Sequence, residues 1–103
     1  MYKKRAILSK NRLYRYILWR EWDSSKDTCV FIGLNPSTAD ENEDDPTLRR
    51  CVTFAKDWGY AKCVIVNLLA YRTTKSEELK NDYFFVFFKS KANIKPVINM
   101  KIL

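Results

Sequence analysis

Cys29-Val30-Phe31-Ile32-Gly33-Leu34-Asn35-Pro36-Ser37-Thr38-Ala39-Asp40 decides the fold. A continuous apolar run of four residues suits a strand buried on both faces, and it ends in a loop rich in hydrogen-bonding side chains. Downstream, Asp45-Pro46-Thr47-Leu48 is a helix start, because Asp45 caps free amides and Pro46 loses nothing at the first helical position. Leu48, Cys51, Val52, Ala55 and Trp58 keep the 3.6-residue period, and Gly59 can close the helix left-handed. Cys63-Val64-Ile65-Val66 is a second apolar run. Strand, helix, strand in this order predicts a βαβ unit with its two strands parallel.

Upstream, Tyr14 to Trp22 alternates with period two and many aromatics, which predicts a strand. Asp23-Ser24-Ser25-Lys26-Asp27 supplies turn chemistry, so this strand is expected to form an antiparallel hairpin with Cys29–Ile32. Thr74-Lys75-Ser76-Glu77 resembles a capping box opening a second helix through Leu79. Tyr83 to Phe88 has five aromatics in six positions and no alternation; it reads as a buried or edge strand, or as an aggregation liability. The expected fold class is α/β, a small, mostly parallel sheet around a βαβ core.

The chain has 103 residues, enough for one domain with a modest core. Fifteen aromatics against two glycines and three prolines argue against disorder. No histidine is present, which excludes Ser-His-Asp triads, histidine proton shuttles and histidine-containing metal sites. Cys29, Cys51 and Cys63 show no C-x-x-C spacing and read as buried small hydrophobes in a reducing compartment. No apolar run approaches the ~18 residues of a membrane span, so a soluble, cytoplasmic protein without a membrane partner is expected. No cofactor is called for, and the oligomeric state is not legible.

The net charge of +7 is unevenly placed. Met1 to Arg20 carries seven cations and no acid, whereas Asp40 to Asp45 carries five acids and no base. Two solvated faces explain this pattern, and so does a basic arm that attracts phosphate backbones.

Candidate site residues cluster at the carboxyl ends of the two apolar strands, where open α/β sheets bind ligands. Asn35, Ser37 and Thr38 offer donors and acceptors in a small space, or else cap their own turn. Asp40 and Asp45 lie beside them, with Thr47 at the helix N-terminus, a ready anion site. Arg50 either salt-bridges within its helix or faces the loop to recognise phosphate or a base. Asn67 either pins a neighbouring loop or touches ligand, and Tyr71 with Arg72 is suited to stacking on and bonding to a nucleobase or phosphate. These residues are expected to share one cleft.

Tyr14-Arg15-Tyr16, Trp22-Asp23, Gly33 to Asp40, Asp45-Pro46-Thr47-x-Arg49-Arg50-Cys51, Phe54-Ala55, Trp58-Gly59-Tyr60 and Val66-Asn67-Leu68-x-Ala70-Tyr71-Arg72-x-Thr74 together resemble the domain-of-unknown-function family numbered 1643. The resemblance runs from about Tyr14 to Leu79 and implies a protein of bacteria or phages with no assigned activity. Members are usually longer. Residues 1–80 are therefore expected to form an incomplete, C-terminally truncated α/β domain, and 81–103 a non-family tail that resembles translation through a frameshift or an early stop.

Gly33-Leu34-Asn35-Pro36-Ser37 also resembles the first motif of mismatch-specific uracil-DNA glycosylases. That resemblance implies a glycosylase-like fold, with Asn35 positioning a water and Ser37 standing where the family has glycine. No counterpart of the second glycosylase motif is present. The function expected is a nucleotide- or nucleic-acid-binding α/β domain, glycosylase-like. The alternatives are a non-catalytic, truncated remnant or interaction module, and a hydrolase holding a divalent metal on the Asp40–Asp45 acids. Whether the chain is an enzyme stays open.

Overall fold

A computed structural model describes residues 2–23, 27–72, 83–89 and 94–101. In chain order the elements are β1 (Lys3–Leu8), β2 (Arg15–Glu21), β3 (Thr28–Gly33), α1 (Pro46–Asp57), β4 (Lys62–Asn67), β5 (Tyr83–Lys89) and β6 (Ile94–Lys101). The strands form one sheet in the order β1-β2-β4-β3-β5-β6.

The βαβ unit forms as its pattern predicts. β3 and β4 run parallel, from Thr28 opposite Lys62 to Gly33 opposite Asn67. Asp45 caps α1, accepting from the Leu48 amide at 2.8 Å, and Gly59 beyond the helix has φ +85°. Leu48, Cys51, Val52 and Ala55 bury the helix's apolar stripe against Leu18, Cys29, Phe31, Cys63 and Ile65 of the sheet.

The rest of the sheet corrects the expected fold class. Among the described residues β3–β4 is the one parallel pair; β1–β2, β2–β4, β3–β5 and β5–β6 are all antiparallel. The sheet is therefore mixed and mostly antiparallel, not mostly parallel, and it lacks the run of parallel strands that a glycosylase-like fold requires. β2 does not form a hairpin with β3 but pairs with β4, placing Leu18 opposite Ile65 and Arg20 opposite Cys63. The physical reason is that antiparallel pairing needs only a free strand edge of matching pattern, and β4 offers one as readily as β3 does.

Two further expectations change. The basic N-terminus is not an arm but the edge strand β1, whose exposed Lys3, Lys4 and Arg5 blunt that edge against pairing with other chains. Tyr83–Phe88 lies within β5, between β3 and β6 rather than at the edge. The apolar strand β3 alternates, with Cys29, Phe31 and Gly33 buried under α1 and Val30 and Ile32 half-buried on the other face. The helix expected from Thr74 lies outside the described residues.

Candidate binding site

The loop from Leu34 to Asp45 carries most of the predicted residues, and arginines hold it in place. Arg20 is fully buried although charged. Its Nε and Nη2 donate to Asp44 Oδ1 at 3.0 and 2.9 Å, and Nη1 and Nη2 reach the carbonyls of Trp19 and Glu43. A buried guanidinium is tolerated only with such a partner and with its remaining donors satisfied. From the β1–β2 turn, Arg12 donates to Asp40 and Glu41. Arg72 donates to the carbonyls of Ser37, Thr38 and Arg12 at 2.9–3.0 Å. Arg72 thus acts as a clamp on the loop, and its donors face backbone oxygens rather than an open cleft.

The acids are equally engaged. Asp40 Oδ1 accepts from the amides of Asn42 and Glu43 at 2.8 Å. Burial pushes the Asp40 carboxyl upward, but those amides and Arg12 outweigh it and hold the group below the usual carboxylate range. Asp45 divides its oxygens between the Leu48 and Ala39 amides. Among the described residues, no three acids or cysteines come together as a metal site.

Arg15 differs from the other arginines. Between Ile7 and Leu8 the β1–β2 register shifts, so Ile7 faces Ile17 while Leu8 faces Arg15. This irregularity turns Arg15 onto the core face shared by Leu18 and Arg20, which strict alternation from Leu18 would deny it. Arg15 is only 4% exposed. Burial lowers its pKa to about 10, leaving it charged at neutral pH. Its Nη1 donates to Ala39 O at 2.9 Å and its Nη2 to Asn67 Oδ1 at 3.2 Å. Among the described residues, neither Arg15 Nε nor the buried Asn67 Nδ2 has an acceptor.

Both residues line a slot with room for about one water molecule, about 10 Å³. Ser37, Asp45 and Thr47 form the rest of its polar wall, over an apolar floor of Leu18, Leu48 and Ile65. Four sequence candidates, Ser37, Asp45, Thr47 and Asn67, are therefore brought together. Asn35 is buried in the loop, its Nδ2 donating to Pro36 O at 3.3 Å, and does not line the slot. Thr38 is exposed, and Tyr71 packs edge-on against Tyr14 with centroids 5.7 Å apart. Arg50 belongs to a separate open hollow of about 320 Å³ on α1, with Arg49, Thr53 and Phe54. Arg15, which lines the slot, and Arg20, which holds the loop through Asp44, were not among the residues singled out from the sequence. For Arg20 the signal was its place beside Leu18 on one strand face, across from five acids in need of a cation.

The sheet face opposite α1 carries a different chemistry. Arg5 lies opposite Trp19, and its guanidinium stands 5.0 Å from that ring's centroid, with Lys62 Nζ at 5.9 Å. Lys3 and Lys4 reach Glu21 and Asp44 at 3.9 and 3.7 Å, but Arg5 and Lys62 have no carboxylate within 4.0 Å among the described residues.

The fold is that of a small α/β domain with a mixed, mostly antiparallel sheet and one described helix. The chain belongs to the family described as Protein of unknown function (DUF1643), whose model matches residues 15–97. The boundary expected at residue 80 falls inside that span, which takes in β5 and enters β6. No curated protein and no solved structure matches the chain, so the expected glycosylase-like fold finds no counterpart. Among the described residues, no helix is long and apolar enough to cross a membrane.

Proposed function

We propose that this domain binds single-stranded nucleic acid on the sheet face opposite α1. The observation that carries the reading is the Arg5–Trp19–Lys62 array, an aromatic ring with two cations over it, neither of which has a carboxylate partner among the described residues. Unpaired bases stack on aromatic rings and on the arginine planes that lie over them whatever the base's identity, and nearby cations follow the phosphates. Double-stranded DNA hides those base faces, so the array favours a single strand. Ile7 and Ile17, paired on the same face as Arg5 and Trp19, extend the apolar platform. The excess of cations in the first 20 residues adds long-range attraction.

The test is the affinity of the full chain for a fluorescent single-stranded oligonucleotide at several salt concentrations. Log affinity should fall linearly with log salt, with a slope of about −0.7 per phosphate neutralised. Arg5→Ala and Lys62→Ala should each weaken binding similarly across sequences and flatten the slope. Affinity that is flat in salt, or unchanged in both variants, contradicts the reading.

A further inference from the structure

We infer that the slot beneath Arg15 is an oxyanion site, which takes one oxygen of a phosphate or carboxylate group between Arg15 Nε and Asn67 Nδ2. Both donor atoms are buried, both residues line the slot, and neither donor has an acceptor among the described residues. Buried donors left without acceptors are costly, so their pairing in one cavity marks a place for an acceptor. The volume, about 10 Å³, admits one oxygen and leaves the rest of a ligand at the mouth.

Charge selects an anion over a neutral carbonyl. Arg15 contributes a full positive charge that is 96% removed from solvent, since only 4% of the residue is exposed. The slot also includes Thr47 and Leu48 of the first turn of α1, where the helix dipole is positive. Asp45 is the nearby acid on the wall, but its two oxygens already accept from Ala39 and Leu48 amides. The hydroxyl-bearing residues Ser37 and Thr47 complete a polar wall suited to the group's other oxygens. The slot lies under α1, whereas Trp19 is on the opposite sheet face, so this site and the nucleic-acid reading stand or fall separately.

The test follows the Arg15 Nε–Hε signal by NMR in the full chain, titrating inorganic phosphate or acetate at constant ionic strength with chloride. A saturable shift is expected, with phosphate, acetate or both; which one responds assigns the ligand's acidic group. Asn67→Asp keeps the oxygen that accepts from Arg15 but replaces the Nδ2 donor with an acceptor. It should remain folded and weaken the response about tenfold or more, the loss expected for one charge-assisted bond. Ser37→Ala, a milder change at the wall, should fold and retain a saturable response. No shift with either anion in the folded protein, or an Asn67→Asp variant that binds as wild type does, overturns the proposal: the slot then holds water only.

Discussion

Arg15, the first residue of β2, donates through Nη2 to Oδ1 of Asn67, the last residue of β4, at 3.2 Å. The bond joins positions 52 apart and ties the end of the parallel pair to the strand beside it. The chain beyond β4 continues this link, since Arg15 N donates to Ala70 O and Arg72 N to Leu13 O, both at 2.8 Å. Asn67 therefore both accepts from the buried guanidinium and lines the slot beside it. Asn67→Leu should destabilise the fold by about 2 kcal/mol, because it strands a buried guanidinium donor. Asn67→Asp should cost much less, since its carboxylate still accepts from Arg15. Equal melting temperatures for the two variants would contradict this.

The buried pair of Arg20 and Asp44 should be the most sensitive point of the loop. Asp44→Ala leaves a fully buried guanidinium without its carboxylate and should cost about 3 kcal/mol in denaturant unfolding, the low end for such pairs because Asp44 is partly exposed. A loss under about 1 kcal/mol would mean that the carbonyls of Trp19, Asp40 and Glu43 suffice to hold Arg20.

Acid should weaken the same loop through Asp40. Its folded pKa lies below the ordinary value of 3.8, so the stability it contributes is present above that value. That contribution is lost as pH falls through 3.8 towards the lower folded value. Wild type should therefore lose more melting temperature between pH 5 and pH 3 than Asp40→Asn does. Parallel losses in the two proteins would remove Asp40 from the account.

The three cysteines are free and buried, and burial pushes all their thiols up, Cys29 to about 12. Thiolate is the reactive form, so native protein should resist a thiol reagent at pH 8 and release all three groups in denaturant. Rapid native labelling of any one would show that the α1–sheet core opens readily.

The β3–α1–β4 unit was legible because its signals are local. Asp45-Pro46 opens a helix, Gly59 closes it, and two short apolar runs flank it. Sheet order was not legible, because β2 carries no mark that prefers the edge of β4 over that of β3. β1 was hidden for the opposite reason, since an edge strand needs main-chain pairing more than apolar alternation, and Lys3-Lys4-Arg5 reads as solvated charge. Ser37 and Asn67, singled out after the two apolar strands, and Asp45 and Thr47, singled out at the helix start, line one slot. Arg15 was missed because a register irregularity, invisible in the sequence, turns it inward.

Removing residues beyond 80 should expose the edge of β3, which pairs with β5 from Thr28 to Ile32. An apolar strand with an open edge invites intermolecular pairing. The shortened chain should associate or lose its cooperative melt, as size-exclusion chromatography and calorimetry would show. A monomer that melts as the full chain does would instead make residues 1–80 the self-sufficient domain.

The most direct measurement of the central claim is the indole N–H signal of Trp19, assigned by its loss in Trp19→Phe, during titration with an unphosphorylated single-stranded oligonucleotide. The account predicts a saturable shift at Trp19 that weakens as salt rises, with the indole signals of Trp22 and Trp58 moving little. An unmoved Trp19 signal while the oligonucleotide binds elsewhere, or no binding at low salt, would contradict it.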